Sequence, residues 1–192
     1  TLLELDRIDE ARSKLDLATE VAHRIGDALD AAETASVAAQ VELADGGNAA
    51  SLEPLLHAGA QEARRLGDIW VETEVVLALG RIERSGGQGG FGRSRRALLT
   101  RHRSGYRIGV GPALEQVALG LAESHSDLAA EALEGAAGER RATGTMRPPS
   151  VTRELMLAGL LTEAAVEPHD LPTPEGLSVG DLIGRLEGLQ AA

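Results

Sequence analysis

Ala63-Arg64-Arg65-Leu66-Gly67-Asp68-Ile69-Trp70 is the stretch that decides the fold, because the chain carries it more than once. An earlier copy reads Ala22-His23-Arg24-Ile25-Gly26-Asp27-Ala28-Leu29. A looser third stands at Tyr106-Arg107-Ile108-Gly109, and a worn fourth at Arg140-Arg141-Ala142-Thr143-Gly144. The marker glycines are 41, 42 and 35 residues apart, and self-similarity at a period of roughly 40 residues marks a repeat architecture. In the fuller copies an apolar residue closes one helix and glycine supplies a left-handed C-terminal cap. Aspartate then caps the next helix by accepting backbone N–H bonds. Gly26, Gly67 and Gly109 are read as such joints.

A second mark falls half a repeat later. Val37-Ala38-Ala39-Gln40, Leu77-Ala78-Leu79-Gly80 and Val117-Ala118-Leu119-Gly120 follow one another at steps of 40. Large-small-large-small tetrads let a neighbouring helix approach at the small positions, so Gly80 and Gly120 are expected at helix crossings. Each tetrad precedes a turn: Asp45-Gly46-Gly47, Ser85-Gly86-Gly87 and Ser124-His125-Ser126-Asp127. Two helices and two turns per period make an all-α solenoid of antiparallel hairpins, with no sheet.

Composition agrees. Aromatic residues are 2% of 192, so the core must be built from Leu, Val, Ile and Ala, which suits thin, closely stacked helices. One lysine, Lys14, stands against eighteen arginines, a bias that fits a high-GC bacterial genome. The net charge of −11 argues against nucleic acid or an anionic membrane as the main partner. With no cysteine, disulfides and thiolate chemistry are excluded, and a cytoplasmic location is expected. The longest apolar runs, such as Val75-Val76-Leu77-Ala78-Leu79, are far too short to span a bilayer. The chain opens on Thr1 inside a helical pattern and is read as a piece of a longer protein.

In chain order, Leu5, Ile8, Ala11, Leu15, Ala18, Ala22 and Ile25 form one helical face. A second helix is expected from Asp27 to about Ala44. A third opens with Ser51 as cap and Pro54 in its first turn and runs to Leu66. A fourth covers Asp68 to Arg84, and a basic fifth about Gly92 to Arg103. Pro112 opens a sixth and Asp127 a seventh, whose face is Ala129, Leu133 and Ala136. Beyond Gly144 the pattern breaks at Met146-Arg147-Pro148-Pro149, where Ser150 is expected to cap a helix to about Glu163. Pro168, Pro172 and Pro174 mark a rigid loop, and Ser178-Val179-Gly180-Asp181 a capping box for a last helix ending near Leu189. The expected organisation is a repeat array over 1–145 and C-terminal capping helices over 146–192 that close the stack.

Leu79-Gly80 and Leu119-Gly120, with Ala129, Leu133 and Ala136 in the following helix, resemble tetratricopeptide signature positions. The longer period resembles the MalT-like variant of large bacterial regulators. The run Glu134-Gly135-Ala136-Ala137-Gly138-Glu139-Arg140-Arg141-Ala142-Thr143-Gly144, continued at Arg147-Pro148-Pro149, is similar to the end of that domain in actinobacterial LuxR-type and AfsR-type ATPase regulators. Gly176-Leu177-Ser178-Val179-Gly180-Asp181-Leu182 resembles their C-terminal segment. The Ala/Trp-rich segment usual before that point is missing here. The resemblance implies a protein-interaction or sensor module of a transcriptional regulator, holding a protein segment or small effector in a groove and biasing neighbouring domains. The family's nucleotide-binding and DNA-reading activities belong to domains outside this stretch. A stand-alone tetratricopeptide-like adaptor is the alternative.

Several motifs invite sharper readings. Gly87-Gln88-Gly89-Gly90-Phe91-Gly92-Arg93-Ser94 imitates a phosphate-binding loop, but a helix rather than a strand is expected before it, and arginine stands where lysine is required. An inter-helix turn is the reading adopted. Arg93, Arg95, Arg96, Arg101, Arg103 and Arg107 form a basic strip with His102 and Tyr106. It is read first as a solvated or salt-bridged face, second as a docking strip for an acidic segment or a sister domain. Nucleic acid ranks third, for want of interleaved aromatics. His23, His57, His102, His125 and His169 are too dispersed for a metal pair. Ser124-His125-Ser126-Asp127 offers triad residue types, but consecutive turn residues do not converge. Trp70 is read as packing. No catalytic constellation, metal or cofactor is expected.

Overall fold

The structure is a computed structural model that describes residues 7–162 and 178–189. All regular secondary structure among them is helical, with no strand. Leu5, Glu163, Pro168, His169, Pro172, Pro174, Gly176 and Leu177 lie outside the described residues. The chain divides into two compact units at Arg93/Ser94. The boundary expected at 145/146 falls inside the second.

In the first unit α1 (Ile8–Ile25) and α2 (Ala28–Ala44) form one hairpin, and α3 (Glu53–Leu66) and α4 (Ile69–Ser85) a second, with α2 packed on both α3 and α4. The joints are built alike. Gly26 and Gly67 take left-handed φ values of 73° and 75°. The Asp27 carboxylate accepts from Leu29 and Asp30 N–H, and the Asp68 carboxylate from Val71 N–H. The core is small-residue packing: Ala32, Ala35, Ala39, Leu56, Ala60, Ala63, Val75, Ala78 and Leu79, with half-buried Trp70 laid against it. Its closest approach is at Gly59, where a Cβ would sit 2.1 Å from that of Ala32. The cap expected from Ser51 is not made. Asn48 Oδ1 instead accepts from Ala50 N–H at 2.8 Å, opening a 3₁₀ turn over Ala50–Leu52 that leads into α3, with Pro54 in its first turn.

The repeat changes character after Ser85. α5 (Phe91–Arg103) is followed by a 3₁₀ turn (Arg107–Gly109), α6 (Val110–Leu121) and α7 (Ser126–Thr143). The period leads one to expect α5 to pair with α6, but α6 packs mainly on α7. Composition explains the switch: α5 buries only Ser94, Ala97, Leu98 and Arg101, whereas α6 is apolar almost all round and needs cover on every side. Gly109 differs from the other marker glycines too. Its φ is −85° and it stands at the entry to α6, while Gly105, at φ 69°, provides the left-handed turn after α5. Gly109 is small because buried Arg101 lies against it, 2.8 Å from where a Cβ would be.

α8 (Pro149–Leu157) packs on α6, and α9 (Val179–Gly188) on α7. Ser178 caps α9, accepting from Gly180 N–H at 3.2 Å. Ser150 does not cap α8 but stands in its first turn, since the chain enters through Pro148 with no side-chain cap. α8 also ends well before Glu163, at Leu157, with Gly159 left-handed at φ 71°. Asp127 likewise lies inside the first turn of α7, with His125 at the N-cap position and no side-chain cap.

Candidate functional site

An open apolar groove of about 740 Å³ lies between α1 and α2. Its floor is Ala11, Ala18 and Ala22, and its walls carry Leu15, Leu17, Val21 and Val37, with Lys14, Asp30 and Glu33 at the edges. The amphipathic pattern of α1 is what exposes it. Among the described residues of the expected face only Ala11 and Ala22 are buried, whereas Leu17, Val21 and Ile25, one turn apart along the helix, are 56%, 40% and 64% exposed. Val37 on α2 is exposed, although its tetrad counterpart Leu77 on α4 is buried. Trp70 Nε1 donates to Glu33 Oε1 at 3.3 Å, which ties one edge of the groove to the second hairpin. The sequence of this unit is acidic as a whole. Residues 1–93 hold seventeen Asp and Glu against nine Lys and Arg, so most of the net negative charge is here.

The arginine strip does not present six side chains to one partner. In the first unit Arg93 is paired with Glu83. In the second, Arg95 donates to the Leu189 carbonyl, Arg103 Nη2 to Glu187 Oε1 at 2.7 Å, and Arg107 to Glu139 at 3.3 Å. Arg101 is fully buried and donates to the Gly109 carbonyl at 2.8 Å. Arg96 is exposed. These side chains mostly fasten α5 and the α6 entry to their surroundings.

The Gly87–Gly90 loop joins α4 to α5. Gly87 N–H donates to the Arg84 carbonyl and Gln88 N–H to that of Glu83, at 2.9 and 2.8 Å, so amides that a phosphate would need are spent on the end of α4. Gly90 lies against Gly80, a Cβ there falling 2.2 Å from the Gly80 carbonyl oxygen. Gly80 is buried and Gly120 half-buried. Among the described residues no group of three His, Asp or Glu is placed to hold a metal ion. His125 Nδ1 lies 2.9 Å from Ser124 Oγ on an exposed turn, and Asp127 lies in the first turn of α7. No helix among the described residues is long and apolar enough to cross a membrane.

The motif reading passed over a buried charge cluster in the second unit. Glu115 on α6 accepts from Arg140 on α7 through both oxygens, at 2.6 Å each, and from Arg147 Nε at 2.8 Å. Arg140 also donates to the Met146 carbonyl. The three side chains are 1%, 4% and 1% exposed. One signal for it was legible: Arg140 continues the apolar face Ala129, Leu133, Ala136 at the next helical step. A charge on a buried face requires a buried partner.

Among the described residues, fold and site together define an all-α arrangement of helices packed in adjacent pairs, with an uncovered apolar groove and a buried ionic cluster. Comparison with family models, with curated proteins and with solved structures finds no match.

Proposed function

We propose that this chain is a non-catalytic interaction module that seats an amphipathic helix of a partner protein in the α1–α2 groove. The uncovered row Leu17, Val21 and Val37 carries the reading, since contiguous exposed apolar surface marks an interaction site. A helix is the fitting occupant because stacking already works that way here: α2 packs its Ala32, Ala35 and Ala39 face onto the second hairpin. The groove on the other side of α1 and α2 is the next place in the same stack. The acidic surroundings favour arginine or lysine flanking the partner's apolar face.

In the wider reading the chain is a tetratricopeptide-like solenoid of MalT type, with a period of about 40 residues and α8 and α9 as its C-terminal cap. It serves as the sensor or interaction end of a cytoplasmic bacterial transcriptional regulator of the LuxR or AfsR kind. The repeated Gly-Asp joints and the resemblance at Glu134–Gly144 support it. The encoding gene tests it directly: a nucleotide-binding domain upstream or a helix-turn-helix downstream upholds the regulator, and neither leaves the stand-alone adaptor.

The groove is tested with a labelled 17-residue Leu/Arg amphipathic peptide titrated against the full chain by fluorescence anisotropy. A Leu/Glu peptide of the same pattern serves as control. The Arg peptide is expected to bind, and Val37→Glu to weaken it about tenfold, or about 1.4 kcal/mol. Equal binding of both peptides, or no effect of Val37→Glu, overturns the helix reading. Binding of a small apolar molecule, with no binding of either peptide, would replace the partner helix with a small effector, for which the groove volume is suitable.

A further inference from the structure

The buried cluster of the second unit is unbalanced. It contains two guanidinium groups, Arg140 and Arg147, and one carboxylate, Glu115. Glu115 and Arg140 complete each other, with two parallel N–H···O bonds on one edge. Arg147 reaches the same carboxylate only through Nε. Its Nη1 and Nη2 are both buried and have no hydrogen-bond partner. Arginine does not shed its proton in a protein, so the charge stays, and among the described residues its fork of donors meets no carboxylate beyond the one that Nε already shares with Arg140.

We propose that the Nη1/Nη2 fork of Arg147 is the wall of a binding site for a small oxyanion, a carboxylate or phosphate group. The chemistry follows from the donors. A guanidinium presents two parallel N–H groups at the spacing of two oxygens on one carbon or phosphorus, and one added negative charge balances the cluster. The local backbone adds potential of the same sign. α8 begins at Pro149, two residues after Arg147, and no side chain caps its first turn, so the positive end of that helix lies beside the connection. The site is also close to solvent along the chain: Met146, next to Arg147, is 61% exposed. Glu115 then acts as a positioning residue, holding Arg147 by Nε so that the fork faces away from the Arg140 pair.

The experiment is thermal unfolding of the full chain at fixed ionic strength, with chloride replaced stepwise by inorganic phosphate in one series and acetate in another. Arg147→Met and Arg147→Lys are run in parallel. The wild type is expected to gain melting temperature with saturating dependence on at least one of the two anions, because a ligand of the folded state stabilises by mass action. Phosphate alone or acetate alone identifies the group. Arg147→Met is expected to melt no lower than wild type in chloride, having lost an unbalanced buried charge, and to show no saturable response. Arg147→Lys, which keeps the charge without the fork, is expected to need about tenfold more anion for half the effect. No saturable response of the wild type overturns the proposal. So does the same response in Arg147→Met, which would mark general exclusion of phosphate from the protein surface. Should Arg147→Met fail to fold, the Arg147→Lys series decides alone, and a response equal to wild type sinks the fork.

Discussion

Glu115 and Arg140 meet as a bidentate pair inside the second unit, each Glu115 oxygen 2.6 Å from an Arg140 nitrogen and neither side chain more than 4% exposed. The pair links α6 to α7, and through the Arg140 bond to the Met146 carbonyl it also fixes the path out of α7. Fully buried ion pairs are seldom a net gain over apolar packing, but breaking one strands its partner. Glu115→Gln would leave two buried guanidinium groups without a carboxylate. It is expected to cost about 3–5 kcal/mol, read from the denaturation midpoint in urea. Replacing Glu115, Arg140 and Arg147 together by methionine should recover most of that loss. A Glu115→Gln protein as stable as wild type would show that the pair does not hold α6 and α7 together.

The closest helix approach gives a second prediction. A methyl group at Gly59 would lie 2.1 Å from the Ala32 methyl and 3.3 Å from its Cα, so α2 and α3 must separate. Gly59→Ala is expected to destabilise by about 1–3 kcal/mol despite the better helix propensity of alanine. Ala32→Gly in the same chain should restore most of it. Additive losses in that double-mutant cycle would place the damage elsewhere.

The helix joints predict a smaller and different effect. Gly67 has φ 75° with nothing within 4 Å of where its Cβ would be, so Gly67→Ala costs only the left-handed backbone, about 1–2 kcal/mol. Asp68→Ala removes the bond to Val71 N–H, about 1 kcal/mol. Chemical denaturation of each is the check. At Gly109, where φ is −85°, alanine instead acts through the Arg101 side chain.

These contrasts show what was legible. Gly67-Asp68 and Gly26-Asp27 are local devices: each cap is made by residues two or three positions away, so spacing alone reveals them. Gly59 was invisible because its reason is Ala32, twenty-seven positions back. Gly109 resembled a joint through its neighbours Arg107 and Ile108, yet its glycine is required by a side chain eight positions earlier. The groove was expected only as a general property of stacked hairpins. That Val37 is exposed while Leu77 is buried is set by three-dimensional packing, which a one-dimensional period does not encode. The arginine strip was legible as charge but not as direction, since acidic partners as far away as Glu187 determine where each side chain goes.

Two exposed pairs set a pH dependence. The Arg7 hydrogen bond holds Glu10 below the usual carboxylate range, and that of Arg65 does the same for Glu62. A carboxylate depressed in the folded state stabilises above its unfolded pKa, about 4.3, and the contribution disappears as pH falls through the folded value. The difference in melting temperature between wild type and Glu62→Gln should therefore favour wild type at neutral pH and vanish in strong acid. Added salt should shrink it as well, because both partners are at the surface. A difference that stays constant with pH would assign Glu62 a helix-propensity role instead.

The glycine loop between α4 and α5 supports a prediction about nucleotides. A phosphate cradle works when successive backbone N–H groups point outward at an anion. Here the Gly87, Gln88 and Gly90 amides are bonded at 2.8–3.2 Å to the carbonyls of Arg84, Glu83 and Gln88, and Arg93, at the lysine-like position, is turned onto Glu83. Freeing the cradle would require unwinding the end of α4. Calorimetry of the full chain with magnesium ATP is expected to show no binding. Duplex DNA at about 150 mM salt, where exposed charges are screened beyond about 8 Å, should not bind either, because Arg101 is buried and Arg93, Arg95, Arg103 and Arg107 are turned onto acidic and carbonyl partners. Gly90→Ala provides the positive control for the loop as a packed turn. Its added methyl would fall 2.2 Å from the Gly80 carbonyl oxygen at a φ of 70°, so it should unfold at lower temperature than wild type. Micromolar ATP affinity abolished by Arg93→Ala, with Gly90→Ala as stable as wild type, would mean that the loop opens in solution and that its resemblance to a phosphate site is functional.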